Sequence, residues 1–541
     1  MPDLLRRTTQ GAGAAGTTLK VLTRAGVIRP HGPLALARAA KALKDWGTGP
    51  AGGFTAAAAL DPRRTAIVDE LGSLTFDEIH RRSNALARAF ARLGVSEGDG
   101  VAIMCRNHRG FVDASIAAAK LGADLLYLNT AFAGPQLVDV LEREKPTLLV
   151  HDEEFAGLLE NADVRRTVLG WTDGDGDRGG DDRPTLEGLI GTEADDDVPP
   201  AGRHGRIVIL TSGTTGTPKG APRSEAGIDA AVSLLSRMPL KYGWRTHVAA
   251  PLFHTWGFAH LALAMLLGST IVLRRRFDPE DCLRVTQDER CDSLVVIPVM
   301  LQRMLALPDE TLDRYDLSRV QVVASSGSAL PGDLATEWMD RFGDHLYNIY
   351  GSTEVAYASI ADPVDLRVAP GAAGKPPYAT IVKILDPDGA ELPPGESGRI
   401  FVGNGLLFEG YTGGGHKEVV DGLMSTGDVG RFDEDGRLHV EGRDDEMIVS
   451  GGENVFPREV EDCLVRHGAV LEAAAIGVDD PDFGKRLRAF VVVDGDVSED
   501  ELKEHVKKNL ARYKVPREIV IMDELPRNAT GKLLKRELDA D

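Results

Sequence analysis

Between residues 65 and 325 the chain alternates short apolar runs with amphipathic stretches of helical period. Ala66 to Val68, Leu74 to Phe76, Val101 to Met104, Leu125 to Leu128 and Thr147 to Val150 read as strands. So do Ile207 to Leu210, Val248 to Ala250, Thr270 to Leu273, Leu294 to Ile297 and Val320 to Val323. From Asp77 to Leu93 the spacing puts Ile79, Leu86 and Phe90 on one side of a helix, and Phe111 to Leu121 reads as another. Strands alternating with helices predict parallel sheets covered on both faces. After Gly371 the pattern changes to short strands and turns: Ile381 to Ile384, the turn Asp386 to Gly389, Gly398 to Val402, and the turn Asp433 to Gly436. From about Glu446 a separate α+β unit begins, with helices from Pro457 to Val465 and Glu499 to Leu510 and strands at Ala474 to Ile476 and Arg488 to Val493.

The fold class is therefore α/β. A large N-terminal domain of layered, mostly parallel sheets with helices carries a β-rich subdomain, and a small α+β C-terminal domain follows. The expected boundaries are a basic extension over 1–50, the main domain over 51–444 and a C-terminal lid over 445–541. Within the extension, Leu36, Ala39, Ala40 and Leu43 share one helical face, and Arg38, Lys41 and Lys44 share another. A basic amphipathic helix suits either docking on the protein's own body or an anionic membrane surface. Docking is the expectation, with peripheral membrane contact through residues 1–50 as the alternative.

Charge and cysteine content change the picture only by exclusion. With 62 Lys and Arg against 83 Asp and Glu, the net charge is −21, which argues against a nucleic-acid partner. Cys105, Cys282, Cys291 and Cys463 form no C-x-x-C pair or zinc spacing, and so few cysteines suit a reducing cytoplasm. Gly257 to Leu273 is the most membrane-like run, but His260 interrupts it and Gly268 to Thr270 breaks it, so it reads as a buried helix followed by a strand. Asp173 to Asp177 begins like a calcium loop and fails as one, because Arg178 stands where glycine is required and Pro184 at the twelfth position.

Candidate chemistry begins after the strand ending at Leu210. Thr211, Ser212, Gly213, Thr214, Thr215, Gly216 and Lys219 crowd hydroxyls, glycines and a lysine into one loop ending at Gly220. Glycines let backbone N–H groups converge, hydroxyls add donors, and lysine adds a point charge for phosphate. A flexible linker has the same composition. The P-loop pattern is not met, since Pro218 replaces its second glycine and Gly220 follows the lysine.

Five further motifs follow in order: Tyr350 to Glu354 (YGSTE), Ser425 to Asp428 (STGD), Gly442 to Asp445 (GRDD), Ser450 to Asn454 (SGGEN) and Pro526 to Lys532 (PRNATGK). In this order and spacing they resemble the adenylate-forming superfamily of acyl-CoA synthetases, luciferases and peptide-synthetase adenylation domains, from about residue 55 onward. The resemblance removes the linker reading and implies ATP, Mg²⁺ and coenzyme A. It implies that Thr211 to Lys219 holds the leaving phosphates, and that adenine lies between Tyr350 and the segment Gly327, Ser328 and Ala329. Gly351 and Ser352 belong to the same nucleotide motif, and Thr353 meets the α-phosphate. Glu354 holds the metal, with Thr211 as a second contact. Asp428 and Arg443 take the ribose. Lys532 bridges the acid's carboxylate and the α-phosphate. Asp445 is the hinge about which a mobile C-terminal domain rotates, exchanging Lys532 for Ser450, Gly451, Gly452 and Asn454 at a pantetheine tunnel. His254 stands beside the acyl carbonyl.

The implied function is AMP-forming acyl-CoA synthesis in two half-reactions through an acyl-adenylate. The segments around Trp256, Gly257, Phe258 and Gly327 to Leu330 show no cation for a second carboxylate. The expected acid is a medium- or long-chain fatty acid, as in actinobacterial fatty-acid–CoA ligases. The alternatives are an aromatic acid, a fatty acyl-AMP ligase serving a carrier protein, and a non-catalytic adenylate- or acyl-CoA-binding protein. The expected location is cytoplasmic, and both monomer and homodimer fit.

Overall fold

The computed structural model describes residues 16–132, 134–160, 162–173, 183–211, 219–223, 228–411, 415–444, 446, 448–450, 453–480, 484–510, 514–528 and 533–538. Two mostly parallel sheets form the body. An eight-stranded sheet runs in the order Ser359–Ala361, Leu346–Tyr350, Val322–Ser325, Ser293–Val296, Arg245–Val248, Thr270–Val272, Thr65–Asp69, Gly72–Thr75, and only its two edge pairs are antiparallel. A six-stranded sheet centres on Gly100–Met104, Asp124–Tyr127 and Ile207–Thr211. The apolar runs become these strands because burial on both faces selects continuous hydrophobic sequence. Ile67, Val101, Leu148, Leu294 and Val322 have no exposed surface.

Helices between the sheets start where their sequences say. Thr75 caps Phe76–Arg92 by accepting from the Glu78 N–H, while the Glu78 carboxylate accepts from the Thr75 N–H at 2.7 Å. These reciprocal bonds satisfy two donors that a helix start otherwise leaves open. His108 caps Arg109–Lys120: its Nδ1 accepts from the Gly110 N–H at 3.1 Å, so its proton sits on Nε2, 2.8 Å from Asp152. The structure thus brings Cys105, His108 and Asp152 together, yet both imidazole nitrogens are already engaged by the protein.

One buried ion pair joins the two layers. Asp69 ends a strand of the eight-stranded sheet and accepts from Arg109 backbone N–H and guanidinium, with the carboxylate fully buried. Burial pushes that carboxyl up, but the Arg109 bonds and charge outweigh it and hold it below its ordinary value. Removing one partner of a buried pair strands the other, at about 3–5 kcal/mol. Arg109→Ala is expected to destabilise the protein by that amount, read as a fall in the denaturation midpoint.

Residues 381–443 form a five-stranded antiparallel sheet, and residues 448–522 a second five-stranded sheet flanked by the helices Pro457–Val465 and Glu499–Asn509. Among the described residues, polar contacts tie the small unit to the body. The Arg458 guanidinium donates to the Val440 carbonyl at 3.1 Å, and Gln302 donates to the Leu471 carbonyl at 3.4 Å.

The helix Pro33–Trp46 docks on the helix Pro50–Leu60, as expected, but on a different face. Ala39, Ala42 and Trp46 are buried, whereas Leu36 is 47 % exposed and Ala40 is exposed. The reason is close approach. A Cβ on Gly52 would lie 1.9 Å from the Gly47 carbonyl oxygen, so the contact is built from small residues and not from leucines. Among the described residues no helix is long and apolar enough to cross a membrane. The run from Gly257 is the helix Thr255–Leu266 followed by the sheet strand Thr270–Val272. The four cysteines are buried and free. The calcium-like stretch falls mostly outside the described residues.

Candidate active site

A cleft of about 1320 Å³ lies where the body's eight-stranded sheet, the antiparallel subdomain and the C-terminal unit meet. His254, Gly327, Ser328, Ala329, Tyr350, Gly351, Ser352, Thr353, Glu354, Asp428 and Arg443 all line it. Residues separated by 189 positions in sequence, from His254 to Arg443, thus share one cavity.

Strand ends deliver most of them. Tyr350 closes the strand Leu346–Tyr350, and Ser325 ends the neighbouring strand just before Gly327. Gly327 has φ +97°, a conformation that side-chain-bearing residues rarely adopt. Gly351 is required for a different reason: a Cβ there would lie 2.2 Å from the Ala356 carbonyl oxygen, because the chain folds back over it. Ala356 itself has φ +61°. The Ser352 hydroxyl accepts from the N–H groups of Glu354 and Val355, each at 3.3 Å, and holds the turn that presents Thr353 and Glu354.

Asp428 and Arg443 face each other across adjacent antiparallel strands, with Arg443 Nη1 3.4 Å from Asp428 Oδ1. The Tyr350 hydroxyl donates to the other Asp428 oxygen at 2.5 Å. Burial raises the Asp428 carboxyl, partly offset by Tyr350 and Arg443, and burial beside Asp428 raises the Tyr350 phenol. The cluster is an aromatic wall with an acceptor and a donor fixed at its edge.

Burial also works to raise the Glu354 carboxyl, but the Tyr411 hydroxyl at 2.7 Å, Ser352 and the charge of Lys417 win and lower it. Glu354 is therefore a half-buried, ionised oxygen donor facing the cleft, which is the chemistry a hard divalent cation takes. The residues present fit Mg²⁺. Tyr411, outside every motif the sequence displays, bonds Glu354 directly. Lys417 was missed altogether. It lines the cleft, helps lower Glu354 and offsets part of the rise that burial imposes on Asp428. The Tyr411–Glu354 pair spans 57 residues, so no local pattern announces it.

His254 precedes the helix Thr255–Leu266, in extended backbone with φ −98°. The C-terminal unit adds Glu446, Arg458, Glu461 and Lys535 to the cleft wall. Lys535 sits between Glu446 at 2.7 Å and Glu461 at 2.9 Å, and sequence reading singled out none of these. Other expected residues are described only in part. Thr211 ends the strand Ile207–Thr211 and pairs with Lys219 across it. Ser450 pairs with Glu453 and Asn454 with Val449 in a hairpin of the strands Ile448–Ser450 and Glu453–Val455. Ser212, Gly213, Thr214, Thr215, Gly216, Asp445, Gly451, Gly452 and Lys532 lie outside the described residues.

Comparison with known proteins agrees with this geometry. The model of the AMP-binding enzyme family matches residues 54–412, and that of the AMP-binding enzyme C-terminal domain matches 459–532. A feruloyl-CoA synthase from Amycolatopsis sp is 35 % identical over 489 residues, covering 89 % of this chain and 96 % of the relative. A 2-succinylbenzoate–CoA ligase from Bacillus licheniformis is 33 % identical over 496 residues, covering 89 % and 98 %. The crystal structure of an anthranilate CoA ligase in complex with anthranoyl-AMP superposes with a TM-score of 0.81 at 26 % identity, covering 91 % of this chain and 96 % of that one. With both family models in place over a cleft of this build, the chain belongs to the AMP-binding enzyme family and is an enzyme of the ligase class, served by ATP, Mg²⁺ and CoA.

Proposed function

We propose that the protein activates a hydrophobic aromatic carboxylic acid as its acyl-adenylate and transfers the acyl group to CoA. The apolar wall of Trp256, Phe258, Ala259 and Leu330 beside His254, adjoining the Tyr350–Asp428–Arg443 cluster, supports an apolar acid, and the likeness to aryl-acid ligases is what favours an aromatic one. Its relatives make feruloyl-CoA and 2-succinylbenzoyl-CoA and hold anthranoyl-AMP, so the aromatic alternative now stands ahead of the fatty acid.

In this reading a carboxylate oxygen attacks the α-phosphorus of ATP. The new O–P bond forms as the bond to the β-phosphate oxygen breaks, and pyrophosphate leaves. The thiolate of CoA then attacks the acyl carbon, and AMP departs with the electron pair of the broken C–O bond. Tyr350 and Gly327 to Ala329 bracket the base, Asp428 and Arg443 take the ribose hydroxyls, and Thr353 meets the α-phosphate. Glu354, with Thr211, would hold Mg²⁺, which would supply neutralising charge for the phosphates. The loop Thr211 to Lys219 holds the departing pyrophosphate. His254 orients the acyl end. Asp445 is the hinge that exchanges Lys532 for Ser450 to Asn454.

Misplacing a reacting group by about 1 Å costs roughly 10²-fold. Gly351→Ala pushes on the turn carrying Thr353 and Glu354, and is expected to lower pyrophosphate release by about that factor. The acid itself is tested by pyrophosphate release from ferulate, benzoate, 4-hydroxycinnamate and alkanoates, with and without CoA. Fastest turnover of an aromatic acid, dependent on CoA, supports the reading. Pyrophosphate without thioester would move it to an acyl-AMP ligase, and preference for plain alkanoates would restore the fatty acid.

A further inference from the structure

The cleft does not end at the acyl carbonyl. Thr255, Trp256, Phe258, Ala259, Ala262, Leu263, Met265 and Leu266 all line it, so it follows the helix Thr255–Leu266 from end to end. Twelve residues of helix span about 18 Å. A single aromatic ring beside His254 covers about one turn, 5.4 Å. About two turns of apolar wall remain beyond it.

That remaining length is closed by the start of the matched family region and by residues that precede it. Gly53, Ala56, Ala57 and Leu60 of the helix Pro50–Leu60 form one side, and Val27, Ala39 and Leu43 of the preceding segment form another. Small side chains on Pro50–Leu60 leave the groove open. The N-terminal segment is fastened to this end of the cleft. The Tyr242 N–H donates to the Ala25 carbonyl at 2.7 Å, and the Arg29 guanidinium lies 3.4 Å over the Tyr242 ring. Arg29 also pairs with Asp61, which accepts from the Tyr242 hydroxyl. Tyr242 itself lines the cleft. The matched family region begins at residue 54, so Val27, Ala39 and Leu43 lie N-terminal to it.

We propose that Val27, Ala39 and Leu43 form the distal wall of the acid-binding tunnel and determine specificity there. The substrate carries an apolar tail remote from its carboxylate, on an aromatic ring or as a plain alkyl chain. This rests on the acid–CoA ligase reading and adds to it the size of the acid and the element that measures it. Each methylene buried in the tunnel is worth roughly fourfold in binding.

The test compares kcat/KM for CoA-dependent AMP release over two series: benzoate, 4-butylbenzoate and 4-octylbenzoate, and butanoate, octanoate and dodecanoate. The wild-type enzyme is expected to gain with tail length in at least one series, and which series gains identifies the head group. Leu43→Trp, at a position 41 % exposed and so tolerant of bulk, and Ala39→Phe fill the distal end. In each folded variant the ratio of longest to shortest acid is expected to fall at least tenfold. A flat or falling wild-type length profile overturns the tunnel while leaving the ligase reading intact. So does an unchanged ratio in Leu43→Trp with an unchanged melting temperature. If no acid of either series yields AMP, the ligase reading itself fails and the tunnel with it.

Discussion

Lys532→Ala is expected to slow acyl-adenylate formation by about 10²–10³-fold, the usual cost of one group aimed at transition-state charge. Thioester formation from supplied acyl-adenylate is expected to stay within a few-fold of wild type. The asymmetry follows from charge. A carboxylate attacking an α-phosphate brings two anions together, and a cation between them offsets the repulsion. A thiolate attacking an acyl carbon has no such need. The flanking structure suits a group delivered by a moving unit. Arg527 and Leu533 pair as a β-bridge, the Leu534 N–H donates to the Pro526 carbonyl at 2.8 Å, and Arg527 binds Glu472 at 2.7 Å. Among the described residues, the C-terminal unit ties to the body through single bonds such as Arg458 to the Val440 carbonyl. Pyrophosphate exchange and CoA-dependent AMP release measure the two halves separately. Equal loss of both contradicts a two-position mechanism.

Glu354→Gln is expected to cost a similar 10²–10³-fold in adenylation, but with a different signature. Glutamine keeps the shape and still accepts from the Tyr411 hydroxyl, so the turn is preserved while the charge is lost. Raising Mg²⁺ is expected to recover part of the rate in Glu354→Gln and none in Lys532→Ala. The pH dependence has a definite sign. The folded carboxyl is lowered from 4.5, so the group is ionised above that value and loses its charge only as pH falls through the lower folded one. Mg²⁺ dependence of the wild-type rate is therefore expected to be flat from about pH 6 to 9. A carboxylate titration within that range contradicts the assignment.

How much of this was legible in the chain depended on the distance over which the information is written. The strand runs at Val101, Leu125, Ile207 and Leu294 are local and became the elements they announced. The motifs at Tyr350 and Asp428 were legible as motifs, and the fold joined them through a hydrogen bond across 78 residues. Tyr411 and Lys417 carry no local mark, because their partners Glu354 and Asp428 are distant in sequence. The N-terminal helix misled through its leucines. Its contact is set by how closely two backbones approach at Gly47 and Gly52, which selects alanines. The nature of the acid was not legible either, since Trp256, Phe258 and Leu263 line a tunnel for a ring or for a chain equally well.

The account turns on an acid oxygen attacking the α-phosphorus. An acid labelled with ¹⁸O in both carboxylate oxygens, turned over with ATP, Mg²⁺ and CoA, is predicted to leave one ¹⁸O in the AMP released. Unlabelled AMP, or ADP and phosphate as the products, would contradict it.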